Sequence, residues 1–113
     1  MEKLMTEQAR RVYRVDRFSG PAGARAEFLE NVWRTHALLR TLPGFVQDFV
    51  LEQPAGSSAF DVVTIVEWES AEVVESAKAV VAARHAELHF SPQALVSRLG
   101  IQADRAYYEA VDA

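Results

Sequence analysis

The chain has 113 residues, half of them apolar, with a formal net charge of −4 and a pI near 5.3. That is the length of one domain with one core. With no cysteine, disulfides, thiolate metal sites and cysteine nucleophiles are excluded, which fits a reducing, cytoplasmic setting. Lys and Arg are scattered without a basic run, so no nucleic-acid partner is expected. No apolar stretch reaches the roughly 18 residues of a membrane span, so no membrane partner is expected either. "MEKLMTEQARR" lacks the apolar centre of a signal peptide.

Residues 1–8 are polar and expected to be disordered, leaving 9–113 as a single domain. "ARRVYRVDRF" (9–18) alternates Val12, Arg14 and Asp16 against Tyr13, Val15 and Arg17, the period of a strand, and "SGPAG" is expected to stop it. From Ala22 to Leu42 the period lengthens. Phe28, Val32, Thr35, Leu39 and Leu42 form one helical stripe, widened by Leu29, Trp33 and His36, and Pro43-Gly44 ends it. "FVQDFVLEQ" (45–53) is a second strand, "PAGSSA" a turn cluster, and "FDVVTIVEW" (60–68) a third strand.

"SAEVVESAKAVVAARHAEL" (70–88) is a second helix capped by Ser70, with Val73, Ala77, Val80, Val81, Arg84 and Leu88 as its expected buried stripe. "SPQALVSRLG" is a short extra helix with Ser91 as cap, Pro92 as first residue and Gly100 as stop. "QADRAYYEAV" (102–111) is the last strand. The order β-α-β-β-α-(α)-β implies an α+β, ferredoxin-like fold with an antiparallel sheet and its helices on one face. The third strand is apolar on both faces, so the uncovered sheet face needs a partner. The simplest is a second copy, making a homodimer, with the last strand and its Tyr107 and Tyr108 as a candidate to cross over.

Two stretches, "FLENVWRTHALLRTLPGF" and "FDVVTIVEWESAEVVESA", resemble the antibiotic biosynthesis monooxygenase family of dimeric α+β barrels, over residues 11–110. The resemblance implies a homodimeric barrel. It also implies oxidation of an aromatic or polyketide-type small molecule by oxygen, with no metal, flavin or other cofactor. Its motif tryptophan is Trp68, whose indole N–H can donate to a substrate oxygen while the ring stacks on the substrate. Thr64 lies on the same strand face, where relatives often carry an amide. Haem-degrading relatives carry a first-strand asparagine and a histidine ten residues past this tryptophan; here the first strand has no asparagine and Lys78 stands at that place. The alternative reading is a non-catalytic protein of this fold that binds a small molecule or a partner.

Trp68 suits a packed core as well as a cavity wall. His85 and His89 are four apart, the spacing of two ligands on one helix face, but no HExxH pattern accompanies them. A charged or capping pair at the helix end is the plainer account, with His85 or His89 a candidate base if it meets a cavity. The candidate catalytic residues are therefore Trp68, His85 and His89. Thr64, Trp33, His36 and Tyr107 are candidates for substrate binding, and no metal site is expected.

Overall fold

The computed structural model describes residues 10–54 and 59–111; the expected disordered segment 1–8 lies outside them. Strands β1 (Val12–Pro21), β2 (Phe45–Glu52), β3 (Ala59–Trp68) and β4 (Gln102–Tyr108) form one antiparallel sheet in the order β2-β3-β1-β4. A short 3₁₀ turn (Ala22–Ala24) leads into α1 (Arg25–Leu39), and α2 (Ala71–Glu87) and α3 (Pro92–Arg98) follow β3. This is the α+β, ferredoxin-like arrangement. No described helix is long and apolar enough to cross a membrane.

β1 does not stop at Phe18. It continues through Gly20 and Pro21, paired with Phe60 and Ala59. Gly20 permits this: a Cβ there would lie 2.8 Å from Ile101 Cγ1, too close for any other residue without a shift. Gly44, at φ 86°, closes the turn into β2 against Val73, whose Cβ would sit 2.6 Å from an added one. Ser70 and Ser91 cap α2 and α3, each accepting a backbone N–H three residues on.

The register assigns each side chain to a face. Trp68, Val66, Thr64 and Val62 of β3 stand beside Val12, Arg14, Asp16 and Phe18 of β1. Tyr107, Arg105 and Ala103 of β4 continue the last three rows. This is the helix-facing side. The opposite face carries Val15, Val63, Ile65, Phe49, Leu51 and Ala106, edged by an Arg17–Asp61 ion pair and by Glu67, which accepts from Arg11 and Gln47. β4 pairs with β1 of its own chain, and Tyr108 lies on this outer face.

β2 has a bulge. Phe45 pairs with Trp68 and Gln47 with Glu67, so Val46 is an extra residue. Strict alternation from Phe45 would send Asp48 outward; the bulge reverses the phase and places Asp48 opposite Val66, on the helix-facing side.

The helix-facing side packs as two apolar clusters. Phe28, Val32, Phe60, Val62 and Ile101 form one, with Phe28 between Phe18 and Phe60 at ring distances of 4.8 and 5.3 Å. Val12, Val66, Trp68, Val74 and Ala77 form the other. Between them lie Thr64, Arg14, Asp16 and His36, where an uninterrupted core would be apolar.

The α2 stripe differs from the one read in the sequence. Val74 and Ala77 are buried, while Val80, Arg84 and Leu88 face outward and Arg84 pairs loosely with Glu87. Small apolar residues surround this helix on nearly every side, so periodicity alone leaves its facing direction open.

Candidate functional site

A cleft of about 730 Å³ fills the gap between the two clusters, within the range of ligand sites. β1, β3 and β4 supply its floor, with Arg14, Asp16, Thr64, Val66, Trp68 and Arg105. α1 supplies Val32, Thr35, His36 and Leu39; α2 supplies Val74, Ala77, Lys78, Val81 and His85; α3 closes one end with Val96 and Ser97.

Trp68 stands at the last position of β3 and is 3% exposed. Its ring meets Phe45 edge-on, with centroids 5.9 Å apart and planes at 89°. Its indole N–H donates to no described residue, and no fully buried polar side-chain atom among those residues lacks a partner. The N–H is therefore not fully buried, and the residue lines the cleft.

His36 is 4% exposed. Its Nδ1 lies 2.8 Å from Asp48 Oδ2. Arg40, just past the end of α1, donates to both oxygens of the same carboxylate, from Nε at 3.0 Å and Nη2 at 3.2 Å. Burial pushes the Asp48 carboxyl up, but hydrogen bonds from Arg40 and His36 outweigh it and hold it below the usual range. An ionised carboxylate only accepts, so Nδ1 carries the proton in this bond and Nε2 is the nitrogen that Asp48 leaves free. Asp48 itself does not line the cleft; it stands behind His36.

On the floor Arg14 binds Asp16 through two bonds of 3.2 and 3.1 Å, and Arg105 lies 3.8 Å from the same carboxylate. Lys78 reaches over the Tyr107 ring at 5.5 Å. Arg14, Arg105 and Lys78 against the single carboxylate of Asp16 leave the cleft lining positive, in a chain whose net charge is −4.

The structure brings Trp68, Thr64, His36, His85 and Tyr107 to one cleft. Trp33 and His89 lie outside it. Trp33 is 51% exposed and does not line the cleft. His89 does not share a helix face with His85, because α2 ends at Glu87 and His89 is in the left-handed region at φ 51°. His85 instead packs edge-on against Phe90 at 5.2 Å.

Sequence reasoning missed Arg14, Asp16, Asp48 and Arg105. Arg14 and Asp16 were visible as the polar positions of an alternating strand, without a sign of which face was covered. Asp48 was hidden by the bulge. Among the described residues no group of three or more His, Asp or Glu is arranged to hold a metal ion.

No family model and no curated protein matches the chain. Solved structures do. SnoaB, a cofactor-independent oxygenase from Streptomyces nogalater, is similar at 24% identity and a TM-score of 0.65, over 93% of this chain and 97% of that one. A dimeric ferredoxin-like protein from an uncultured marine organism is similar at 10% identity and a TM-score of 0.70, over 92% and 98%. The ActVA-Orf6 monooxygenase of Streptomyces coelicolor, solved with nanaomycin D, is similar at 20% identity and a TM-score of 0.62, over 95% and 92%. The chain thus has the fold of these oxygenases, the one implied by its resemblance to the antibiotic biosynthesis monooxygenase family.

Proposed function

We propose that this protein is an oxygenase that oxidises an aromatic hydroxy compound in the cleft beneath α1 and α2, using no metal or organic cofactor. The observation that carries the reading is the cleft itself. A buried tryptophan whose N–H has no partner among the described residues stands at the edge of one apolar cluster, facing polar groups across a gap that a purely structural domain would pack with aliphatic side chains. The likeness to SnoaB and to the nanaomycin D-bound monooxygenase supports the same chemistry.

In this reading the aromatic ring lies along Val66 and Trp68, and the Trp68 N–H donates to its oxygen. Loss of the hydroxyl proton makes the ring electron-rich. The ionised ring passes one electron to O₂, and the radical pair combines to a hydroperoxide at a ring carbon. Loss of water then leaves the quinone. The balance is one O₂ consumed and one water formed per ring oxidised. The apolar walls exclude bulk water and strengthen the N–H contact to the anion.

Oxygen uptake with anthrone, whose enol is a tricyclic hydroxyarene, tests this: the expected product is anthraquinone. Trp68→Phe keeps the ring and loses the donor, and should slow the reaction by ~100-fold. Absence of oxygen uptake, with nanaomycin D still quenching Trp68 fluorescence, would leave a small-molecule-binding protein in place of the enzyme.

The same reading includes a homodimer, paired through the outer sheet face to complete a dimeric α+β barrel. Phe49, Leu51, Val63 and Ile65 form an apolar band there, with Leu51 51% exposed. A two-fold axis through that face covers the band on both copies.

A further inference from the structure

We infer that His36 is the base that removes the substrate's hydroxyl proton, and that Asp48, clamped by Arg40 and turned inward by the β2 bulge, is the residue that positions it. The inference rests on the oxygenase reading and assigns the proton-transfer step of that site.

Three observations meet at His36. The ring is buried, yet it lines the cleft and leaves Nε2 without a partner among the described residues. Its other nitrogen is bound at 2.8 Å by a carboxylate that two guanidinium bonds hold in place. That carboxylate reaches the helix-facing side only because Val46 breaks the alternation of β2. A histidine that merely tied α1 to the sheet edge would need the Asp48 bond but no open nitrogen toward a cavity. The arrangement instead fixes the tautomer with Nε2 as acceptor and balances the imidazolium that proton uptake creates.

The step is a proton transfer. The substrate O–H bond breaks and leaves its electron pair on oxygen, and an N–H bond forms at His36 Nε2. The Asp48 carboxylate stays ionised, held low by Arg40. The aromatic anion is left facing the Trp68 N–H. The other ionisable groups of the cleft are Arg14 and Asp16 on β1, Lys78 and His85 on α2, and Arg105 and Tyr107 on β4. In sheet order Asp48 is two strands from Arg14 and three from Arg105, roughly 10 and 14 Å at the usual strand spacing. The base therefore acts at the β2 side of the cleft, and the arginine cluster sits at the β4 side.

4-Nitro-1-naphthol, a bicyclic phenol with a yellow anion, tests this without turnover. Bound to the wild-type protein, it should show the anion's visible band at a pH at least about one unit below its free midpoint, a tenfold shift in the ionisation equilibrium. His36→Gln should still bind it and lose that shift, and Asp48→Asn should lose most of it. In the wild-type protein, long-range ¹⁵N–¹H spectra should show His36 as the Nδ1–H tautomer, doubly protonated when the naphthol binds.

An unshifted midpoint in the wild type overturns the inference, as does an equal shift in His36→Gln, which would assign the anion to the arginines. An Nε2–H tautomer overturns it too, even if the variants fail to fold. In all three cases the oxygenase reading stands. If the naphthol does not bind at all, the hydroxyarene cleft and the base both fall.

Discussion

At the scale of single residues, Asp48 is one of several carboxylates that shape how this molecule meets acid. Asp48 is held below the ordinary aspartate value of about 3.9 by Arg40 and His36, against the opposing effect of burial. The native state therefore binds its proton less readily than the unfolded chain does. The stabilisation is fully present above that ordinary value and is lost as pH falls through the lower, native one. Glu67, bonded by Gln47 and Arg11, contributes in the same direction. Urea midpoints measured from pH 7 to pH 3 should fall steeply for the wild type and less for Asp48→Asn, which no longer titrates. An unchanged slope in that variant would mean that the His36–Asp48–Arg40 cluster is not formed in solution. Trp68 and Thr64 make the complementary point. Their shared face was legible from a period of two, but only the register with β1 shows that the face also holds Arg14 and Asp16.

Elements fail to follow sequence period where the backbone adds or drops a residue. The Val46 bulge exchanges the two faces of β2, so Asp48 faces the helices while Phe49 and Leu51 face outward. One inserted residue thus both sets Asp48 behind the cleft-lining His36 and supplies part of the apolar outer band. The C-terminus of α2 is the second case. His89 takes a left-handed conformation at φ 51° that suits glycine at a helix end. His89→Gly should relieve this and raise stability by roughly 1 kcal/mol, seen as a melting temperature higher by about 4–8 °C. Oxygen uptake with anthrone should not change. Loss of uptake in that variant would return His89 to the site from which its geometry removes it.

For the molecule as a whole, the uncovered sheet face is the dominant feature. Burying an apolar side chain such as Leu51 is worth about 1.5–3 kcal/mol, and Phe49, Val63 and Ile65 adjoin it on the same face. Light scattering should give twice the 12.6 kDa of one chain. In the proposed dimer Leu51→Glu would place like charges near the two-fold axis; it should reduce the mass to one chain with the far-UV spectrum unchanged, since Leu51 packs in neither internal cluster. A wild-type mass of one chain would remove the dimer from the proposed function.

By itself the sequence determined the element order, the ferredoxin-like class, the Ser70 and Ser91 caps and the shared face of Thr64, Val66 and Trp68. Each is a local matter of period, capping or turn chemistry. Tertiary structure decided what lies opposite what. It turned α2 by its packing rather than its pattern, set the histidine of α1 against an aspartate twelve residues on, and separated His89 from His85. It also left a cleft beside Trp68 where the pattern alone allowed a filled core. Periodicity records which residues share a face; only packing against other elements records whether that face is closed.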